Sequence, residues 1–199
     1  TSVEVPWMNK AVPGLQIERP VAYLIPQAWH QVIERLALDR VPLEVLDNDR
    51  TFVVEVQRIT EFRDVKRPYE GHYLHREITT TTEVDTVVGR AGDVLVPMGQ
   101  VTDALVMEVL EPRCADSYFA WGAFDSILQR KEWFSDYVFE DIAAELLQQD
   151  SVLDAALRTE RERDPTFAKD ARAQLDFVYQ RSPYFEASYR RYPVLRVIQ

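Results

Sequence analysis

The stretch Leu110-Glu-Pro-Arg-Cys-Ala-Asp-Ser-Tyr-Phe-Ala-Trp-Gly-Ala-Phe-Asp-Ser-Ile-Leu128, with the segment Trp133–Leu147 after it, decides the fold of this 199-residue chain. Strand-like patterns precede this stretch and helical patterns follow it, so we expect an aromatic hinge where a β-rich part and a helical part meet. Eight of the chain's 22 aromatic side chains lie here: Tyr118, Phe119, Trp121, Phe124, Trp133, Phe134, Tyr137 and Phe139.

Helical periodicity dominates the chain after the hinge. The predicted apolar stripe of the first helix consists of Phe134, Tyr137, Val138, Ile142 and Leu146. We interpret its neighbouring acidic residues as a solvated face rather than as acid–base catalysts, because such residues beside an apolar stripe are usually exposed. A second helix, capped by Asp150 or Ser151, ends in the charged run Arg158–Asp164, and a last helix ends near Ser182.

Strand patterns dominate the chain before the hinge. The spacing predicts a strand at Pro20–Pro26, a helix at Gln27–Leu38 and a strand at Val41–Leu46, an order that favours a right-handed crossover between parallel neighbours. The remaining predicted elements are strands at Thr51–Thr60 and Asp93–Val96, a long twisted strand or a hairpin at His72–Val88, a helix at Asp103–Leu110 under a Thr102 cap, and an edge strand at Val194–Ile198.

These patterns predict an α+β fold, in which a mixed β-sheet with flanking helices is followed by a C-terminal helical subdomain. We expect residues 1–19 to form an N-terminal arm with a short edge strand, and residues 20–110 to form the β-rich mixed-sheet part. Residues 111–199 supply the aromatic hinge and the helical part packed on it. Because no polar linker separates the two parts, we expect one structural unit.

The composition excludes several classes of partner. The formal net charge is −10 and the pI is near 4.8, so we expect neither nucleic acid nor an anionic membrane to bind the chain. No apolar run approaches the roughly 20 residues that cross a bilayer. Cys114 is the single cysteine, which excludes an internal disulfide and a cysteine-cluster metal site.

The densest group of metal-ligating residue types is His72-Tyr-Leu-His75-Arg-Glu77. Residues three apart on a strand point to opposite faces, so His72 and His75 do not share an ion unless a bulge intervenes. His75 and Glu77 share a face and are the candidate metal ligands. Two ligands do not close a site, and a hydrogen-bonded or solvated pair is the favoured interpretation.

Other candidate sites carry less chemistry. Cys114 has no nearby histidine or helix start that would activate a thiolate. The chain therefore offers no constellation for an intrinsic enzyme. An alternative use of its aromatic side chains is recognition of a peptide or a glycan, and the candidate binding residues are Tyr184, Phe185, Tyr189 and Tyr192.

Four strings of this sequence resemble, in the same order, the region that follows the catalytic domain in large bacterial zinc carboxypeptidases of the carboxypeptidase A type. They are Arg19–Leu36, Arg67–Tyr73, the stretch from Val109 to Asp125, and the stretch from Tyr137 to Glu186. The resemblance covers nearly the whole chain from Arg19. It implies an accessory C-terminal domain of a secreted or periplasmic metallopeptidase, a hydrolase whose zinc lies in another domain of the same polypeptide.

The resemblance carries no catalytic residue to this chain. The family binds zinc through a His-x-x-Glu pair and a later histidine, but here His30 is followed three positions on by Ile33, and His75 by Ile78. We therefore expect a non-catalytic domain without a cofactor, which packs on or assists the catalytic zinc domain. The alternatives are a stand-alone peptide- or glycan-binding module and an independent metallohydrolase that uses His75 and Glu77.

Overall fold

A computed structural model describes residues 3–5, 10, 12 and 14–199 of the chain. The chain divides into two compact units. The first unit comprises Thr1–Asp125 and Arg191–Gln199, and the second comprises Ser126–Arg190. The predicted boundary between the β-rich part and the helical part, at residues 110 and 111, thus falls inside the first unit. The last nine residues of the chain also belong to this unit. That the whole chain unfolds as one cooperative unit stays a prediction.

The first unit is a six-stranded sheet with two helices, and the predicted α+β class is confirmed. The strand order is β2-β5-β1-β6-β3-β4, and every paired neighbour is antiparallel, so the sheet is antiparallel and not mixed as predicted. The strands are β1 (Ala22–Ile25), β2 (Glu44–Val45), β3 (Arg50–Asp64), β4 (His75–Gly89), β5 (Val94–Pro97) and β6 (Leu195–Val197). The helices are α1 (His30–Leu38), which a 3-10 turn at Gln27–Trp29 precedes, and α2 (Asp103–Leu110).

Two more predictions about the sheet are also wrong. The strands β1 and β2 are not parallel neighbours, because β5 lies between them and pairs antiparallel with both. The C-terminal strand β6 is not an edge strand, because it pairs with β1 on one side and with β3 on the other. Sequence periodicity indicates that a segment is extended, but it does not indicate which segment pairs with it.

The sheet has an apolar face and a face with buried polar groups, as the two-residue period of a strand dictates. In β6, Leu195 and Val197 pack in the apolar cluster, whereas Arg196 points to the opposite face. There the side chain of Glu111, after α2, accepts hydrogen bonds from Tyr23, Gln57 and Arg196. The apolar cluster consists of Ala22, Leu24, Leu46, Phe52, Val54, Val56, Leu95, Leu195 and Val197.

The second unit is helical, with a core of its own. Its helices are α3 (Asp136–Gln149), α4 (Ser151–Arg163) and α5 (Ala171–Tyr179), with 3-10 turns at Asp125–Leu128, where the two units meet in sequence, and at Phe167–Lys169. The predicted cap is confirmed, since Asp150 accepts hydrogen bonds from the first turn of α4. The buried cluster consists of Phe139, Ala143, Leu153, Leu157, Val178 and Tyr179.

The apolar stripe predicted for α3 is partly wrong. Tyr137 is 81% exposed and Val138 is 49% exposed, while Phe139 and Ala143 face the core. The helix begins at Asp136 and packs against both α4 and α5, so the buried face is rotated from the predicted one. The helix α4 ends at Arg163, inside the charged run Arg158–Asp164 in which its end was predicted.

Two further predictions differ from the structure: the strand in the N-terminal arm and the cap at the start of α2. Val3–Val5 are exposed and lie outside any strand, and the other residues of the predicted arm strand lie outside the described residues. Thr102 forms no capping hydrogen bond at α2. Instead, Asp103 accepts hydrogen bonds from the backbone of Gly99 and Gln100. Within the described part of the chain, no helix is long and apolar enough to cross a membrane.

Candidate binding cleft

The first unit contains an open cleft of about 850 Å³ with aromatic and charged walls. We call it the aromatic cleft. One wall is the start of α1, the second is the loop before β4, and the third is the segment between α2 and Asp125. Its polar and aromatic lining residues are Trp29, His30, Gln31, Arg35, His72, Tyr73, Asp116, Tyr118, Trp121 and Asp125.

A tight turn shapes the wall before β4. Tyr69 and His72 exchange two backbone hydrogen bonds of 2.9 Å, and the two residues between them, Glu70 and Gly71, both have positive φ. This is the geometry of a two-residue hairpin turn of type I′, for which glycine at the second central position is favoured. The turn brings Tyr69 and His72 edge-on to the ring of Trp121, at centroid distances of 6.1 and 5.6 Å.

The opposite wall is held by buried hydrogen bonds. The hydroxyl of Ser117, which is fully buried, donates to the carbonyl of Pro112 and accepts from the amide of Ala120. The amide of His75 donates in turn to the carbonyl of Ala120 at 2.9 Å. These bonds anchor the backbone that presents Trp121, so the cleft wall is formed before any ligand binds.

A buried histidine lies beside the cleft between two carboxylates. The Nδ1 atom of His75 is 2.6 Å from Asp64 and its Nε2 atom is 2.8 Å from Asp125. The imidazole ring also packs against Phe62 and Phe119. Burial lowers the pKa of His75, but the hydrogen bonds to Asp125 and Asp64 outweigh burial and raise the pKa above its usual value. The imidazolium form therefore donates to both carboxylates.

The shifted pKa of His75 predicts a pH-dependent stability. Because the folded-state pKa is higher than the unfolded value of about 6.5, the stabilisation is complete below pH 6.5 and is lost as the pH rises through the folded-state pKa. We expect the free energy of unfolding to fall over this window, and the fall to be absent in His75→Gln. Urea unfolding at a series of pH values measures both.

The matched control for this prediction is His30→Gln. His30 is exposed on α1 and forms no ion pair with the described residues, so its replacement should leave the pH profile unchanged. An equal fall in the His75→Gln protein would show that other groups cause the pH dependence.

The structure does not bring the two predicted metal ligands together. Glu77 is exposed and pairs with Arg63, while His75 is buried and pairs with Asp64. A bulge separates them: Glu77 and Ile78 together oppose the single residue Phe62, and Glu77 has a φ of 54°. A bulge resets the alternation of faces, so residues two apart no longer point the same way.

Zinc does not fit the residues at this position. Both ring nitrogens of His75 are engaged by carboxylates, and a zinc ligand must offer a free nitrogen lone pair. No group of three or more His, Cys, Asp or Glu side chains in the described part of the chain is arranged to hold a metal ion. Burial, then the charges of Glu108 and Glu111, raise the pKa of Cys114 to about 12, the opposite of an activated thiol.

The four aromatic residues proposed from the tail differ in exposure. Tyr184 is 56% exposed, whereas Phe185 and Tyr189 are half-buried in the second unit, where their rings are in contact. Tyr192 is 1% exposed in the first unit, where its hydroxyl donates to the carbonyl of Leu110. Its assignment to an exposed binding surface is wrong. The other three stay predictions.

Sequence reasoning missed the carboxylates of the cleft. Asp116 and Asp125 line the cleft and lie nine residues apart, and Asp64, which bonds to His75 beside the cleft, lies more than 50 residues earlier, so no motif spacing connects the three. Gly71 was the one usable signal, since glycine is favoured at the second central position of a type I′ hairpin turn. Trp29 and Trp121 are half-buried and line the cleft.

Comparison with known proteins relates part of the chain to carboxypeptidases. A protein named carboxypeptidase 2 from Trichophyton tonsurans is 34% identical over 108 residues, and its counterpart from Trichophyton rubrum is 33% identical over 117 residues. These alignments cover 52% and 56% of this chain but only 19% and 21% of the relatives. The chain thus contains a carboxypeptidase-related region and spans about a fifth of the length of these relatives. No family model and no solved structure matches it.

Proposed function

We propose that this chain is a non-catalytic accessory region of a zinc carboxypeptidase, which packs on or assists a catalytic domain of the same polypeptide. The observation that carries the proposal is the identity of about a third with carboxypeptidase 2 over half of the chain. Because the chain spans only about a fifth of those relatives, most of such a protein lies outside the matched region.

The missing ligand pattern supports a non-catalytic role. Hydrolysis by a zinc peptidase needs three protein ligands around an open metal and a carboxylate base for the bound water. The whole sequence has three histidines and no His-x-x-Glu pair. Of these histidines, His75 is already bound by two carboxylates. We infer that the chain carries no cofactor and that the metal belongs to the catalytic domain.

The finer parts of the proposal follow the resemblance of the sequence. They are a position after the catalytic domain, a relation to the large bacterial enzymes, and a periplasmic or extracellular location. The net charge of −10 supports the view that neither nucleic acid nor an anionic membrane is a partner.

The proposal predicts that the purified chain does not hydrolyse peptides. We expect no release of a C-terminal amino acid from a panel of peptides, with or without added zinc, because the ligand geometry is missing. A chelator-treated sample is the control. Turnover that is sensitive to the chelator and is lost in His75→Ala would contradict the non-catalytic assignment.

The second candidate function is a stand-alone module that binds a peptide or a glycan. The aromatic cleft favours it, because concave sites with aromatic walls and a few polar groups are typical of ligand binding. The reading frame separates the two candidates. The accessory role requires a catalytic zinc domain encoded upstream in the same frame, and the stand-alone module does not.

A further inference from the structure

We propose that the aromatic cleft binds a lysine or arginine side chain of an extended peptide, between the indole of Trp121 and the carboxylate of Asp116. This inference is independent of the proposed function, since binding of a basic peptide requires neither zinc nor a catalytic domain. It rests on the rings, the charges and the pre-formed walls of the cleft.

The rings of the cleft favour a cation. Trp29, Tyr73, Tyr118 and Trp121 all line it, and the electron-rich face of an aromatic ring attracts ammonium and guanidinium groups. Trp29 packs edge-on against the buried Phe124 at 4.8 Å, so this indole is held in place. A pre-positioned ring loses little conformational freedom when a ligand binds.

The charges of the cleft favour a cation as well. Asp116 is exposed, and its carboxylate forms no hydrogen bond or ion pair with the described residues, although its backbone amide donates to Glu108. Asp125 shares one oxygen with His75 and is itself 57% exposed. The carboxylates of Asp64, Asp116 and Asp125 together carry more negative charge than the single positive charge of the His75 imidazolium.

Arg35 and Arg76 are permanent cations at or next to the cleft, and the guanidinium of Arg76 donates to the carbonyl of Ala115, the residue before Asp116. Among its described lining residues Arg35 is the only permanent cation, and both Arg35 and Asp39 act electrostatically on Tyr118. His30 and His72 also line the cleft. The chain as a whole carries −10, so its field attracts basic peptides and repels acidic ones.

The test measures binding of blocked peptides that differ at one central position. The probes are a glycine-flanked lysine peptide, the arginine peptide, the norleucine peptide, which keeps the length of the lysine stem without its charge, and the glutamate peptide. Calorimetry and fluorescence anisotropy report the dissociation constants. We expect the dissociation constants of the lysine and arginine peptides to be at least about ten-fold lower than that of the norleucine peptide. We also expect added salt to weaken the binding.

Variants locate the site. Trp121→Ala should weaken binding of the lysine peptide about ten-fold, Trp121→Phe should restore part of it, and Asp116→Asn should weaken it several-fold. The matched control is Trp133→Ala, because Trp133 is 65% exposed in the second unit and stacks on Arg130 there. Circular dichroism of each variant verifies that it is folded.

Three outcomes would overturn the proposal. Equal affinity for the norleucine and lysine peptides would show that the cleft does not recognise charge. Equal losses in Trp121→Ala and Trp133→Ala would place binding elsewhere. Binding of an oligosaccharide panel without binding of the basic peptides would assign the cleft to glycans. None of these outcomes changes the hydrolysis assay, so the proposed function is judged separately.

Discussion

Replacement of Glu111 by leucine is expected to lower the free energy of unfolding by about 3–5 kcal/mol, because it leaves buried polar partners without their acceptor. The Glu111 side chain is 3% exposed, and that of Arg196 is 9% exposed. The Tyr23 hydroxyl donates to Glu111 at 2.6 Å, and the Gln57 amide donates at 2.9 Å. Burial, then the negative charge of Glu111, raise the pKa of Tyr23, so this hydroxyl stays protonated as a donor.

Three further variants test whether the buried charge is the cause: Glu34→Leu, Arg196→Met and the double variant. Glu34→Leu changes an exposed glutamate on α1 and should shift the free energy of unfolding by at most about 0.5 kcal/mol. The double variant Glu111→Leu, Arg196→Met removes both charges, and it should lose clearly less stability than the two single changes added together. Urea unfolding measures the wild type, Glu34→Leu, the single variants Glu111→Leu and Arg196→Met, and the double variant. Strict additivity would show that the two side chains do not act as a pair.

Removal of Arg191–Gln199 is expected to abolish folding of the first unit. These nine residues supply β6, which lies between β1 and β3, and the buried Tyr192. Deleting one buried apolar side chain costs about 2–5 kcal/mol, and the segment contains four, so the loss of about 8–20 kcal/mol is as large as the roughly 5–15 kcal/mol by which a domain is stable. The buried apolar side chains are Tyr192, Val194, Leu195 and Val197.

The matched control removes nine residues from the other end of the chain. Of Thr1–Asn9 the structure describes Val3–Val5, which are exposed and outside any strand, so this deletion should leave the unfolding midpoint nearly unchanged. Circular dichroism and urea unfolding compare the two truncated chains. A synthetic peptide of residues 191–199 should restore the cooperative transition when it is added to the first. An unchanged transition without the peptide would show that β6 is dispensable.

The C-terminal strand β6 shows how residues that are distant in sequence come into contact. The C-terminal strand inserts beside β1, about 170 residues earlier in the chain, so that Tyr23 faces Arg196 in the register. On the other side Glu55 faces the same arginine and accepts a hydrogen bond from it at 2.7 Å. No local pattern in the sequence signals this row of three polar side chains across three strands.

Local patterns in the sequence determined where most elements form. The apolar run at Pro20–Pro26, the alternation in Thr51–Thr60 and the signals around Asp103–Leu110 correspond to β1, β3 and α2. The Asp150 side chain was predictable as a cap, because a cap bonds to amides two and three residues away. These properties depend on neighbours in the chain, and neighbours are what a sequence shows.

Only the tertiary structure decided how the strands pair and which side chains meet. It placed β5 between β1 and β2, and it joined His75 to Asp64 and Asp125 at the aromatic cleft. The bulge at Glu77 separated the two residues predicted to act together. Pairing and side-chain contacts depend on packing between segments that are distant in sequence, and that packing selects among pairings that local propensity does not distinguish.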